Sequence, residues 1–279
     1  MAQTTDAGSD AGSAATPCTF GAWTVNPVDR FAAINTSDTE WGEELSADGL
    51  TVVFGRVSVP DQQALFIAHR DTRDADFPAA TPITELNNEA SNNPRDPALS
   101  ADQREMYFTA DDPDTAATCL YVARHDDASG PWSASINTTI CVPQSDDIGG
   151  AYLSRDGLRM YYDRNQSGTR RPWLTSRPTT AAPFTDGGAI IDSLPINLGW
   201  CTLTTDELTI FCEADLASEK VQIWTATRSS LGAPFSTAGP MPALDGDLNR
   251  DGDPSISADG TELVISSDTN LRELIRTCD

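Results

Sequence analysis

One short phrase occurs five times along this chain and sets its period. It reads Ser46-Ala47-Asp48-Gly49, Ser100-Ala101-Asp102-Gln103, Ser154-Arg155-Asp156-Gly157, Thr204-Thr205-Asp206-Glu207 and Ser257-Ala258-Asp259-Gly260. The first residues lie 54, 54, 50 and 53 positions apart. A repeat of about 50 residues implies units that bury their apolar faces only against one another. Each phrase joins two short apolar runs, such as Leu99 before and Met106-Tyr107-Phe108 after. Such runs around an Asp-Gly turn predict a hairpin. Gln103 and Glu207 replace the turn glycine in two copies, which predicts looser turns there.

A third run follows each hairpin and ends in arginine, at Arg70, Arg124, Arg177, Arg228 and Arg276. A loop then leads to an aromatic residue, Phe77, Trp132, Phe184 or Phe235, opening a fourth run. Four short strands per unit predict an all-β, five-bladed β-propeller of antiparallel blades. The expected blades are approximately 40–87, 88–142, 143–194, 195–244, and 245–279 plus 18–36. The last unit holds only three runs, so the segment opening at Phe20 supplies its fourth strand and closes the ring. Closure leaves no open sheet edge to the array.

The segments Asp96-Pro97-Ala98-Leu99-Ser100-Ala101-Asp102 and Asp253-Pro254-Ser255-Ile256-Ser257-Ala258-Asp259-Gly260 resemble the repeats of TolB-like β-propellers. In that family a Pro-x-Leu-Ser-x-Asp-Gly turn precedes a Leu-x-Phe strand. The resemblance covers residues 18 to 279 and implies the blade type. It implies periplasmic scaffold or peptidase-associated roles only as examples, since fold does not carry activity.

Six cysteines allow fifteen pairings, and the blade layout selects one. Cys201 and Cys212 face each other across the fourth hairpin. Cys119 and Cys141 flank the loop between the third and fourth strands of blade 2. Cys18 and Cys278 sit at the two ends that meet. Six thiols or a metal site would be the alternative, but there is no Cys-x-x-Cys pair. Paired cysteines imply an oxidising compartment.

The formal charge is −24, and the 18 basic residues include one lysine, Lys220. Nucleic acid is not an expected partner, because phosphate binding needs a basic patch. No apolar stretch is long enough to span a membrane. Residues 1–17 read as a flexible low-complexity linker. With the disulfides they suggest a secreted, periplasmic or outer-surface protein, lipid-tethered through that linker. A monomer is expected.

Residues leading into each innermost strand line a propeller's funnel. Trp41, Arg95, Trp200 and Asp251 are therefore candidate ligand contacts, since indoles stack on sugar faces while carboxylates accept hydroxyls. Glu43, Asp96 and Asp253 are candidate catalytic carboxylates, because sugar hydrolysis needs a pair flanking the bond. Asp247, Asn249, Asp251 and Asp253 have the oxygen spacing of a calcium loop, though position twelve is Ala258 rather than Glu; a plain turn is the alternative. No other cofactor is expected. The arginine column recurs in every blade and reads as structural. His69 and His125 read as surface residues. The favoured reading is a non-enzymatic binding module for a protein or a glycan. A glycoside hydrolase or lyase using the funnel carboxylates is the rival.

Overall fold

The computed structural model describes residues 18–59, 62–88, 92–126, 130–133, 135–143, 145–191, 197–215, 221–241 and 251–279. They form five four-stranded antiparallel sheets. The innermost strands are Thr39–Leu45, Asn92–Leu99, Asp147–Leu153, Asn197–Leu203 and Asp251–Ile256. In the last sheet the outermost strand is Thr24–Val25, paired with Leu274 and Ile275. The N-terminal segment thus completes the final blade. Cys18 is bonded to Cys278 across 260 residues. Closing a loop that long is worth about 5 kcal/mol in the chain-entropy view. Cys119–Cys141 and Cys201–Cys212 are also bonded, each with Cα atoms 4.1 Å apart. Thr19 and Asp279 add two reciprocal backbone hydrogen bonds of 3.1 Å.

Each repeated phrase builds the same closed turn. The Ser or Thr hydroxyl donates to the Asp two residues on, at 2.6 to 2.8 Å. The same oxygen accepts the N–H five residues on, at 2.9 to 3.0 Å. The fourth residue is left-handed in all five: Gly49, Gly157 and Gly260, but also Gln103 at φ 56° and Glu207 at φ 57°. The expected loosening at Gln103 and Glu207 does not occur. The side-chain bonds over-determine the turn and hold a strained residue in place. Glu207 is further held by Arg159 at 2.6 Å and by the Tyr161 hydroxyl at 2.6 Å.

A second column runs behind the turns. Arg70, Arg177, Arg228 and Arg276 each donate from Nε to the carbonyl of that turn residue. Their guanidiniums lie over Phe77, Phe184, Phe235 and Phe20 at 4.4, 4.4, 4.5 and 3.6 Å. The expected member in blade 2, Arg124, is not in the column. His125 is: it donates to the Gln103 carbonyl and stacks on Trp132 with centroids 3.9 Å apart. Its backbone N–H bonds the Arg104 carbonyl, as Arg177 bonds that of Leu158. His125 is therefore half-buried and structural, while His69 is exposed. Between the blades the core is apolar, as where Tyr107, Leu120 and Val122 meet Leu153, Met160 and Phe184.

Candidate functional site

All five innermost strands break their register at one shared place, and Asn92–Leu99 breaks it again between Asn92 and Arg95. Two residues oppose one at Gly42-Glu43, Asp96-Pro97, Gly150-Ala151, Trp200-Cys201 and Asp253-Pro254. These are β-bulges, which re-aim side chains and bend a strand. The first residue of each pair is left-handed, with φ of 60°, 49°, 53°, 44° and 47°. Each lies four positions before its turn phrase. Gly42 and Gly150 suit this backbone. They also leave room: a Cβ on Gly42 would lie 2.9 Å from Asp96 Oδ1, and one on Gly150 would lie 2.5 Å from Trp200 Cα. The other three are Asp, Trp and Asp, which adopt the conformation at a cost.

Those three side chains meet on the axis. Trp200 donates from Nε1 to Asp96 Oδ1 at 3.2 Å, and its backbone N–H bonds Asp163 Oδ1 at 3.1 Å. The Arg170 guanidinium lies 3.9 Å from the Trp200 ring centre and pairs with Asp163. Thr109 donates to the second Asp96 oxygen at 3.0 Å. Asp253 accepts the Gly42 N–H at 3.1 Å and the Ser266 hydroxyl at 2.9 Å, both on Oδ2. Its Oδ1 is buried and without a partner.

Asp163 and Glu213 come from second strands and were not singled out from the sequence. They pair with Gly149 and Gly199, and the missing Cβ of Gly150 leaves room for Asp163, since a Cβ there would lie 2.7 Å from its Oδ1. A Cβ on Gly252 would collide with Glu213 Oε2. The signal was available as glycines at one repeat position opposite a carboxylate.

The axis holds two described cavities above the level of the turns. The mouth has a volume of about 210 Å³, lined by Trp41, Trp200, Glu213 and Asp253 among others. Below it, a waist of about 20 Å³ is lined by Glu43, Asp96, Trp200 and Asp253. Trp200 and Asp253 border both and form the partition. The waist holds roughly one water by volume. Glu43 stands there alone, where other blades carry Pro97, Ala151, Cys201 and Pro254. It is 5% exposed, and neither carboxylate oxygen has a partner.

Burial dominates the electrostatics. It pushes the Asp96 carboxyl up to about 7, against the pull of Arg95. It pushes Glu44 up to about 8, against a Ser255 hydrogen bond. Glu43 is raised by burial and then by Asp253. Glu213 is raised by burial and by Asp253 in the same way. A protonated carboxyl is the cheaper state wherever water is excluded and no cation is near.

Of the sequence candidates, Trp41, Trp200 and Asp253 come together at the mouth. Asp96 and Glu43 lie beneath them. Arg95 turns aside to Asp111 at 3.2 Å and Asp147 at 3.6 Å. Asp251 is buried beside Ser267 and Arg272. Asp247 and Asn249 lie outside the described residues, as do the linker 1–17 and Lys220. Among the described residues no group of three or more His, Cys, Asp or Glu is arranged to hold a metal ion. No described helix is long and apolar enough to cross a membrane.

No protein-family model matches the chain, and no curated protein matches it. Solved structures do. TolB from Acinetobacter baumannii is 16% identical with a TM-score of 0.52, over 88% of this chain and 56% of that one. This chain thus spans little more than half of that protein's length. A family 43 endo-arabinanase from Bacillus licheniformis is 11% identical with a TM-score of 0.57, over 88% and 95%. An α-L-arabinofuranosidase from Podospora anserina is 10% identical with a TM-score of 0.60, over 93% and 96%. At such identities the likeness is one of fold. The chain is a five-bladed β-propeller, sharing its architecture with TolB-like proteins and with sugar-cleaving enzymes.

Proposed function

We propose that this propeller is an extracytoplasmic binding module that takes the end of a neutral glycan in its mouth. One observation carries the reading: two indoles, Trp41 and Trp200, flank a cavity of about 210 Å³ whose other wall carries Glu213 and Asp253. Indole faces stack on the apolar faces of sugars, and carboxylates accept their hydroxyls. The volume suits about one sugar ring. Three disulfides fit an oxidising compartment.

Binding is favoured over cleavage by where the carboxylates lie. Hydrolysis needs two of them on opposite sides of the bond. Asp96 is engaged by Trp200 and Thr109, and Glu43 lies below the partition. Glu213 and Asp253 share one wall, near enough for the Asp253 charge to raise the Glu213 carboxyl.

A glycan array followed by calorimetry tests the proposal. The expected outcome is a neutral glycan whose affinity falls at least tenfold in Trp41→Ala, with no new reducing ends released on long incubation. Release of reducing ends, or no glycan bound at millimolar concentration, overturns it.

A further inference from the structure

At the end of the axis opposite the mouth, a groove of about 590 Å³ lies between the turns of blades 2 and 3. Its walls carry Arg104, Arg124 and Arg155. Each is an arginine at a repeat position where no other blade has one. Arg104 stands where the others have Leu50, Leu158, Leu208 and Thr261. Arg155 stands where they have Ala47, Ala101, Thr205 and Ala258. Arg124 stands where they have His69, Ser176, Thr227 and Ile275. Residues that serve the blade itself recur from blade to blade, as the column behind the turns does. These three do not recur, yet they converge on one groove.

Their chemistry is available. Arg104 and Arg155 are exposed, and neither side chain makes a hydrogen bond or ion pair among the described residues. The carboxylate beside Arg104, Asp102, already accepts the Ser100 hydroxyl at 2.7 Å and the Arg104 N–H at 3.2 Å. Arg124 leans on Glu105 at 2.8 Å with its side chain 44% exposed. It is free to do so because His125 has taken its place in the column. In a chain of formal charge −24, the groove is locally neutral, with Arg104, Arg124, Arg155 and Arg177 against Asp102, Glu105, Asp126 and Asp156, and two of its guanidiniums, Arg104 and Arg155, are unpaired among the described residues.

We propose that this groove binds an extended peptide segment bearing spaced acidic residues, whose carboxylates are taken by Arg104, Arg155 and the outer edge of Arg124. The groove runs from Ala47 in the first turn, across the second, to Thr180 beyond the third, which suits an extended chain. Guanidinium forks match carboxylates two bonds at a time. The walls also carry Asp126 and Asp156. A chain charged at every unit, such as a sulfated polysaccharide, meets repulsion there. A peptide sets its backbone N–H groups against them instead. The net negative charge elsewhere is screened beyond about 8 Å at physiological salt.

Fluorescence anisotropy tests this, with a labelled peptide of alternating Gly and Glu and its Gln counterpart, in 0.15 M salt. The Glu peptide is expected to bind and the Gln peptide not. Arg104→Ala and Arg155→Ala each lower affinity about tenfold, the loss of a charge-assisted contact. Trp41→Ala, at the other end of the axis, leaves the peptide affinity unchanged while lowering that for the glycan, so failure here is distinct from failure of the glycan reading. Arg104→Glu/Arg155→Glu is expected to lose the Glu peptide while unfolding with the same cooperative thermal transition as the wild type, which shows the variant folded. No binding of the Glu peptide at millimolar concentration overturns the proposal. Equal binding of the Gln peptide, full affinity in the double alanine variant, or stronger binding of a sulfated oligosaccharide does so too.

Discussion

Two rings of left-handed residues run around the molecule, one at the hairpin turns and one at the inner-strand bulges. Both contain glycines and both contain exceptions. At the turns the exceptions, Gln103 and Glu207, look outward to neighbouring blades: Gln103 to Asp48 at 3.2 Å, Glu207 to Arg159. At the bulges the exceptions look inward, Trp200 to Asp96 across the axis. The turn ring repeats its bonding partners five times. The bulge ring repeats only its backbone, and its side chains are two glycines, two aspartates and a tryptophan. Strain with identical neighbours serves the fold; strain that persists while the side chains change is kept for what they do together.

The largest expected effect lies behind the turn ring. Arg177 is almost fully buried, with its guanidinium on Phe184 and bonded to Gly157 O, Tyr107 and Glu105. Arg177→Ala removes one partner of a buried pair and should cost about 3–5 kcal/mol in thermal or urea unfolding. A loss below about 1 kcal/mol would mean that the column is ornamental, as for most surface pairs.

A pair of glycine substitutions sharpens the comparison of the rings. Gly157 in the turn ring and Gly150 in the bulge ring have φ of 66° and 53°. The backbone cost of Ala is similar at both, about 1–2 kcal/mol. Space differs. A Cβ on Gly157 would meet the ends of Thr180 and Arg177 at 3.3 and 3.4 Å, which can give way; on Gly150 it would meet Trp200 Cα at 2.5 Å. Gly150→Ala is expected to cost at least about 3 kcal/mol, and Gly157→Ala about half of that. Equal losses, read from urea midpoints at constant m-value, would show that the bulge ring yields as easily as the turns.

The rings also differ in how legible they were. The turn phrase repeats in sequence, so blade number, ring closure and all three disulfide pairs followed from its spacing. The bulge ring has no common residue: Gly42, Asp96, Gly150, Trp200 and Asp253 share only a conformation and a distance from the phrase. Each bulge also shifts the alternation of its strand by one residue, so the face of Glu43 could not be read from period two. Asp163 and Glu213 reach the axis past Gly150 and Gly252, which are not the residues paired with them across the strands. Arg124 was misplaced for a simpler reason. The column needs a planar donor over an aromatic ring, and His125 supplies it one residue later.

The pH response separates the rings again. Inner carboxyls are raised: Glu44 from 4.5 to about 8, Asp96 from 3.8 to about 7, both chiefly by burial. A carboxyl raised in the folded state binds its proton more tightly there than in the unfolded chain. Its stabilising contribution is complete below the unfolded value and is lost as pH rises through the folded one. Asp102 and Asp156 in the turns are lowered, against burial, by Ser100 and Ser154 and by backbone N–H groups. Their contribution is present above their unfolded value near 3.8 and is lost as pH falls below it. The protein is expected to be most stable near pH 5, with the thermal midpoint falling steadily toward pH 8. A midpoint that rises between pH 5 and 8 would reverse the assignment of the inner ring.

The smallest effect isolates one carboxyl from the general repulsion of a −24 chain, which also weakens stability as pH rises. Glu43 is buried, raised and without a partner on either oxygen. Glu43→Gln keeps its shape and removes its charge. Well below pH 4.5 the wild-type group is neutral in the folded and the unfolded state alike, so the two proteins should unfold alike there. At pH 8 the variant should be more stable by about 1 kcal/mol, because a neutral amide is easier to bury than an unpaired carboxylate. The general repulsion is nearly the same in both proteins and drops out of their difference. If the variant is no more stable at pH 8, Glu43 holds a compensating positive charge at the waist, and the bulge ring is as well satisfied as the turns.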